Sequence, residues 1–163
     1  MFCIREADKA DFPAVTAIYN EAILTTTATF DTEPKCFEER EIWFEAHGSQ
    51  YPMLVMELGG SVVGWASLSR FSDRCAYSKT AEISLYIKDG YRGQGIGRKL
   101  IEAIVLRGRE AGLHTILSRI TSGNEISIHL HEAAGFEHVG IMKEVGTKFG
   151  LLLDVCLMQL IYE

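Results

Sequence analysis

Apolar positions along this chain alternate between two periods. From Asp11 to Leu24, Phe12, Val15, Ile18 and Ala22 recur at steps of three and four, which predicts a helix with one buried stripe. The same spacing predicts helices over Glu38–His47, with Ile42, Trp43 and Ala46 on one face, and over Gly95–Ala111, with Ile96, Leu100, Ala103, Ile104 and Ala111 along one stripe. Asn124–Ala134 reads as a fourth helix, and Gly112 and Gly135 close the last two. Short apolar or alternating runs predict strands at Phe2–Arg5, Met53–Leu58, Val62–Leu68, Ala81–Lys88, Thr115–Thr121, Phe136–Val145 and Leu151–Ile161. Gly59-Gly60 joins two of them as a hairpin turn, while Thr25–Pro34 and Arg70–Lys79 read as loops. Strands and helices mixed in this way indicate an α+β or mixed α/β sandwich.

Composition narrows the picture. At 163 residues, with 47% hydrophobic and 23% charged, the chain suits one globular domain spanning 1–163, with a core that needs no staples. No apolar run is long enough to span a bilayer, and the charged segment Met1–Asp11 has no apolar leader, so the expected location is cytoplasmic. Cys3, Cys36, Cys75 and Cys156 form no C-x-x-C pair and are expected to be buried, reduced thiols. His129 and His131 lie two apart, poor spacing for helix-borne ligands, so no metal site is expected. A formal charge of −6 argues against nucleic-acid binding. Yet Lys88 to Arg109 holds six basic and two acidic residues, a local +4. That island suits a bound anion, although on charge alone a solvated basic helix face is the better explanation.

The island contains "YRGQGIGRKL", Tyr91 to Leu100. A strand, a glycine turn and a helix start make a phosphate site, because the backbone can come close and free N–H groups point outward. A P-loop would need Lys followed by Ser or Thr, and here Gly97 is followed by Arg98, Lys99 and Leu100. A dinucleotide fingerprint would need a glycine where Arg98 stands, and a strand-borne acid some twenty residues on. The remaining pattern is R-x-x-G-x-G, met by Arg92, Gly93, Gln94, Gly95, Ile96 and Gly97.

That loop resembles the pyrophosphate loop of the GNAT superfamily of N-acetyltransferases, which bind acetyl coenzyme A. The resemblance runs along nearly the whole chain and is greatest to the phosphinothricin and methionine sulfoximine N-acetyltransferases. It is carried, in order, by "TTATFDTEP" (26–34), "DRCAYSKTAEISLYI" (73–87), the glycine loop, "NEISIHLHEAAGFEHVG" (124–140) and "EVGTKFGLLLDVCLMQL" (144–160). It implies a central, mostly antiparallel sheet of about seven strands flanked by helices, with a gap where acetyl-CoA lies. It also implies a homodimer acting on a small amine, with no metal, nucleic acid or membrane involved.

Acetylating an amine requires removing its proton, placing the thioester beside it and giving the developing oxyanion donors. In "EISLYI", Ile83, Leu85 and Ile87 face one way and Glu82, Ser84 and Tyr86 the other. Pattern alone would put Glu82 on an exposed face. The resemblance makes it the general base, acting directly or through a water, and burial would make it a better acceptor. By the same resemblance, the backbone of Leu85, Tyr86 and Ile87 holds the pantetheine, Gly93 to Arg98 with Arg92 holds the pyrophosphate, and Asn124 contacts the coenzyme. Asn124 also suits an ordinary N-cap. His131 stands where many relatives have a proton-donating tyrosine, and either donates or only packs. Phe30, Arg74, Tyr77, Glu82 and Ser84 are the candidate acceptor site, with Arg74 as a carboxylate clamp and Arg70 a weaker choice. Lys148 and Phe149 would form a far wall, supplied by a second subunit. The expected reaction is transfer of acetyl to the α-amino group of an amino-acid analogue. Acetylation of a protein N-terminus or a polyamine, or an acyl-coenzyme A-binding module without catalysis, are the alternatives.

Overall fold

A computed structural model describes residues 1–163. The strands are β1 (Phe2–Glu6), β2 (Met53–Leu58), β3 (Ser61–Arg70), β4 (Thr80–Ile87), β5 (Thr115–Thr121), β6 (Glu137–Lys148) and β7 (Leu151–Ile161). The helices are α1 (Phe12–Thr25), α2 (Phe37–Glu45), α3 (Ile96–Glu110) and α4 (Glu125–Ala133). All seven strands form one sheet in the order β1-β2-β3-β4-β5-β7-β6, and only β4 and β5 run parallel. Their connection is α3, the crossover that parallel neighbours need.

The sheet separates two apolar clusters. The larger lies on the α3 and α4 side, where Ile96, Leu100, Ile101, Ile104 and Ile128 meet Ile83, Ile116, Ile120 and Met158. The smaller lies on the α1 and α2 side and holds Phe12, Val15, Ile18, Phe44, Val55 and Trp65. The alternation in β4 is as expected: Leu85 and Ile87 pack on the larger cluster, Tyr86 on the smaller. An ion pair fixes where α1 begins. Arg5 on β1 donates to both oxygens of buried Asp11 at 2.7 and 2.8 Å, holding that carboxyl below the usual range.

Three expectations need correction. In α2 the buried residues are Arg40 and Phe44, while Ile42 is 73% exposed. The Arg40 guanidinium is flat enough to lie 3.8 Å from the ring centroid of Trp43 and 4.3 Å from that of Tyr19, so it replaces an aliphatic side chain there. Strand β6 runs on to Lys148, because register shifts after His138 and Met142 absorb the break in alternation. Of the four free cysteines only Cys156 is buried. Cys3, Cys36 and Cys75 lie on an outer strand, at a helix start and in a surface turn, where nothing covers them.

Candidate active site

The centre of the sheet is forked. Strands β4 and β5 pair only at Thr80–Thr115, Ala81–Ile116 and Glu82–Leu117. Beyond that rung β5 stays on β7 as far as Thr121, while β4 stays on β3 as far as Ile87. The backbone of Ser84, Leu85, Tyr86 and Ile87 therefore has no strand partner on its β5 side. A cavity of about 590 Å³ opens there, lined by Glu82, Ser84, Leu85, Tyr86, Ser118 and Arg119 among others.

At the outer end of β4 lies the glycine turn. Gly93 and Gly95 have φ of +76° and +79°, and a Cβ added at either would meet nothing within 4 Å. They serve conformation, and the space beside them is open. Gly97 is different: a Cβ there would lie 3.0 Å from Leu130 and 3.2 Å from Ile87, so this glycine lets α3 sit close to α4 and β4. The first backbone bond of α3 runs from Lys99 N–H to the Gly95 carbonyl, which leaves the N–H groups of Ile96, Gly97 and Arg98 without an acceptor in the chain. Arg92 and Arg98 are exposed beside them and reach Asp89 and Glu102 at 4.0 and 2.9 Å. The exposed Gln94 side chain donates to the Gly90 carbonyl at 3.4 Å, within the turn. Free amides, a helix N-terminus and two guanidiniums make a fitting cradle for a pyrophosphate. Asn124 caps α4 by accepting from Ser127 N–H at 3.3 Å, and it also lines the cavity, so its two expected roles are compatible.

The loop from Thr26 to Cys36 covers the cavity and is pinned from several directions. Thr121 donates to the Thr27 carbonyl, and Lys148 Nζ to the Thr29 carbonyl at 2.8 Å. Tyr86 donates to the Ala28 carbonyl at 3.4 Å. Phe30 rests on Gly146, where even one Cβ would fall 2.2 Å from its ring. Tyr19 bonds Thr29 at 2.9 Å and donates to Asp31, and burial, with Asp31 beside it, pushes its hydroxyl up to about 12. Tyr86 is raised further still, by burial first and then by Tyr19.

Glu82 stands on the last rung before the fork, with its side chain 25% exposed. It is not isolated among apolar groups, as burial alone would have it. Arg119 grips it through Nε to one oxygen and through Nη2 to the other at 2.8 Å. Two residues beyond Leu117 on β5, Arg119 shares the face of Glu82, Ser84 and Tyr86. Its guanidinium is held charged more firmly than usual, mainly by that hydrogen bond. A charged residue in the apolar run "TILSRIT" was the one sequence signal for it.

Of the expected acceptor residues, Phe30, Glu82 and Ser84 line the cavity; Arg74 and Tyr77 do not. Strands β3 and β4 stay paired to Arg70–Ala81, so the following loop leaves the sheet past Glu82, on the side away from the fork. Arg74 caps a short 3-10 turn at Cys75–Tyr77 in solvent, and Tyr77 packs edge-on against Phe71. Arg70 is exposed and donates to the Ser72 carbonyl. Lys148 is turned to the covering loop, while Phe149 is 58% exposed. His131 is buried, and its Nδ1 donates to the Ser127 carbonyl at 2.7 Å. Burial lowers its affinity for a second proton, so it is a neutral imidazole whose one proton is already committed.

Comparison with known proteins gives the family and the fold. The family model of the acetyltransferase (GNAT) domain matches residues 4–157. The L-methionine sulfoximine/L-methionine sulfone acetyltransferase of Pseudomonas paraeruginosa is 43% identical over 159 residues, 96% of this chain and 92% of its own. The phosphinothricin acetyltransferase of Sinorhizobium meliloti, solved in complex with AcCoA, superposes with a TM-score of 0.94 at 36% identity, covering 98% of this chain and 88% of its own. The ribosomal-protein-alanine N-acetyltransferase of Brucella melitensis superposes at 0.91 with 39% identity, covering 98% and 99%.

Proposed function

This chain belongs to the GNAT family of acetyltransferases, and on that premise we propose that it transfers acetyl from acetyl coenzyme A to the α-amino group of a small amino-acid-like substrate. The substrate type is that of methionine sulfoximine, methionine sulfone or phosphinothricin. The observation that carries the reading is the fork between β4 and β5, with a carboxylate at its apex and a cavity beside it.

Bound acetyl coenzyme A supplies a thioester open to attack by a neutral amine. The chain's own residues do the rest. Free N–H groups at Ile96 to Arg98, with Arg92 and Arg98, hold the pyrophosphate. The unpaired edge of Leu85 to Ile87 offers main-chain groups to the pantetheine amides and the carbonyl. Glu82 takes the ammonium proton, directly or through a water. His131 does not serve the leaving thiolate, because its only proton is bonded to the Ser127 carbonyl.

We also propose that the chain works as a homodimer in the cytoplasm, where acetyl coenzyme A is available. Edge strand β6, the turn after it and the start of β7 expose Val139, Ile141, Val145, Phe149, Leu151 and Leu152, a surface that a second copy would cover. The test of the activity is acetyl transfer to methionine sulfoximine, methionine sulfone, phosphinothricin, matched amines and short peptides. Amino-acid analogues should be preferred. Preference for peptides would favour the protein-alanine chemistry for which the Brucella relative is named, and no turnover of any amine would leave a binding module.

A further inference from the structure

Two opposite charges already touch inside the cavity. Arg119 Nη2 reaches one Glu82 oxygen at 2.8 Å and its Nε reaches the other, while Nη1 has no acceptor in the chain. The Arg119 side chain is 56% exposed, so that third nitrogen is open to a ligand. It is the one cationic side chain lining the cavity. His131 is neutral, and Lys148 lies outside the cavity lining, with its ammonium turned to the Thr29 carbonyl. Of the two lining carboxylates, Asp31 takes the Tyr19 hydroxyl, which leaves Glu82 as the anion in contact with the guanidinium. An α-amino acid carries the complementary pair, an ammonium and a carboxylate on one carbon.

We propose that Arg119 is the receptor for the α-carboxylate of the acceptor. Planar guanidinium has two edges, and each can hold a carboxylate. The edge formed by Nε and Nη2 stays on Glu82; the substrate's carboxylate takes the edge that includes Nη1. Sharing one guanidinium brings the two carboxylates side by side and sets the α-amine over Glu82. The proposal rests on the acetyl-transfer reading and deepens it: the site selects free α-amino acids with an unblocked carboxylate. An amine without that carboxylate leaves the Nη1 edge unfilled and has nothing to set its nitrogen over Glu82. A peptide N-terminus has its first carbonyl in an amide and offers the guanidinium no charge.

The experiment compares wild type, Arg119→Ala and Arg119→Lys on methionine sulfoximine, its α-carboxamide and the amine lacking the carboxyl group. Circular dichroism checks folding, and calorimetry with coenzyme A checks the coenzyme site. Wild type should prefer the free acid. In Arg119→Ala the ratio of kcat/KM for acid over carboxamide should fall by about 10–100-fold, chiefly through KM for the acid, the scale of hydrogen bonds to a charged group. Arg119→Lys should stay nearer to alanine than to wild type, since a point charge cannot serve two carboxylates. A preference for the acid that survives Arg119→Ala overturns the proposal, as does an equal loss on acid and carboxamide, which would make Arg119 only a support for Glu82. A wild type that acetylates acid and carboxamide alike overturns the carboxylate assignment and leaves acetyl transfer standing. A wild type that acetylates none of the three overturns both.

Discussion

At the scale of single residues the decisive group is Glu82, and its neighbour changes what its substitution means. Glu82→Gln removes the base and turns an amide NH2 toward Arg119, where a carboxylate oxygen used to accept. The expected loss is roughly 10²–10⁴-fold in kcat and kcat/KM together, shrinking at high pH where free amine is plentiful. Wild-type turnover at pH 7 in this variant would remove Glu82 from the mechanism. Two other residues govern the response to acid. His47 and His131 both lie below their ordinary value of 6.5, chiefly through burial. His47 bonds the Trp43 carbonyl at 2.9 Å and Ser69 at 2.8 Å, so it too is fixed as a neutral imidazole. The unfolded chain therefore binds protons here that the folded chain refuses. Their contribution is complete above about pH 6.5 and is lost as pH falls toward the depressed folded values. Denaturant midpoints should drop over that interval, and His131→Gln should flatten the drop. An unchanged slope would mean that His131 protonates in place.

At the scale of elements, the glycine turn and the acceptor wall depend on local geometry that a small added side chain tests. Gly95 has φ of +79°, which a branched side chain resists, and it opens the helix whose amides are free. Gly95→Val should weaken coenzyme A binding in calorimetry by far more than Arg98→Ala, because Arg98 is exposed and engaged with Glu102. Equal, undiminished affinity in the glycine variant would move the pyrophosphate elsewhere. On the opposite wall, Gly146 sits at a register shift of β6 and seats the Phe30 ring. Gly146→Ala should displace that ring, raise KM for the acceptor several-fold and leave coenzyme affinity intact. A KM that stays put would show that Phe30 does not shape the acceptor pocket.

For the whole molecule, the exposed surface of β6 and β7 sets the prediction. Edge strands without cover tend to pair or aggregate, and apolar residues on this one add to the drive. Sedimentation should give twice the mass of 18.2 kDa, and Ile141→Lys should shift it toward the single chain. A wild type that sediments as a monomer at assay concentrations would discard the homodimer. The covering loop makes the same surface relevant to activity, because Met142 and Val145 on β6 also line the cavity. Losing the dimer should therefore be followed by acceptor kinetics as well as by mass.

Periodicity marked the seven strands and four helices, with ends displaced by at most the three residues by which β6 runs on to Lys148, because alternation and the 3.6-residue stripe are local consequences of which face is buried. The glycine turn was legible for the same reason: Arg92 to Gly97 are contiguous, and their backbone geometry is decided within a few residues. Glu82 is singled out by the family resemblance, since pattern alone would put it on an exposed face. Sequence could not show that Arg119, 37 positions away, would reach it, since that contact exists only because β5 runs parallel to β4 for three rungs and then parts from it. Nor could it show that Arg74, only eight residues from Glu82, would be carried off by a loop leaving the far side of the sheet. Arg40 misled the reading of α2, because a guanidinium counts as polar in any pattern yet is buried here by two aromatic rings supplied by α1 and α2 together. Elements follow from neighbours along the chain, whereas the site is made where strands diverge, and only tertiary structure decides which side chains face each other across that gap.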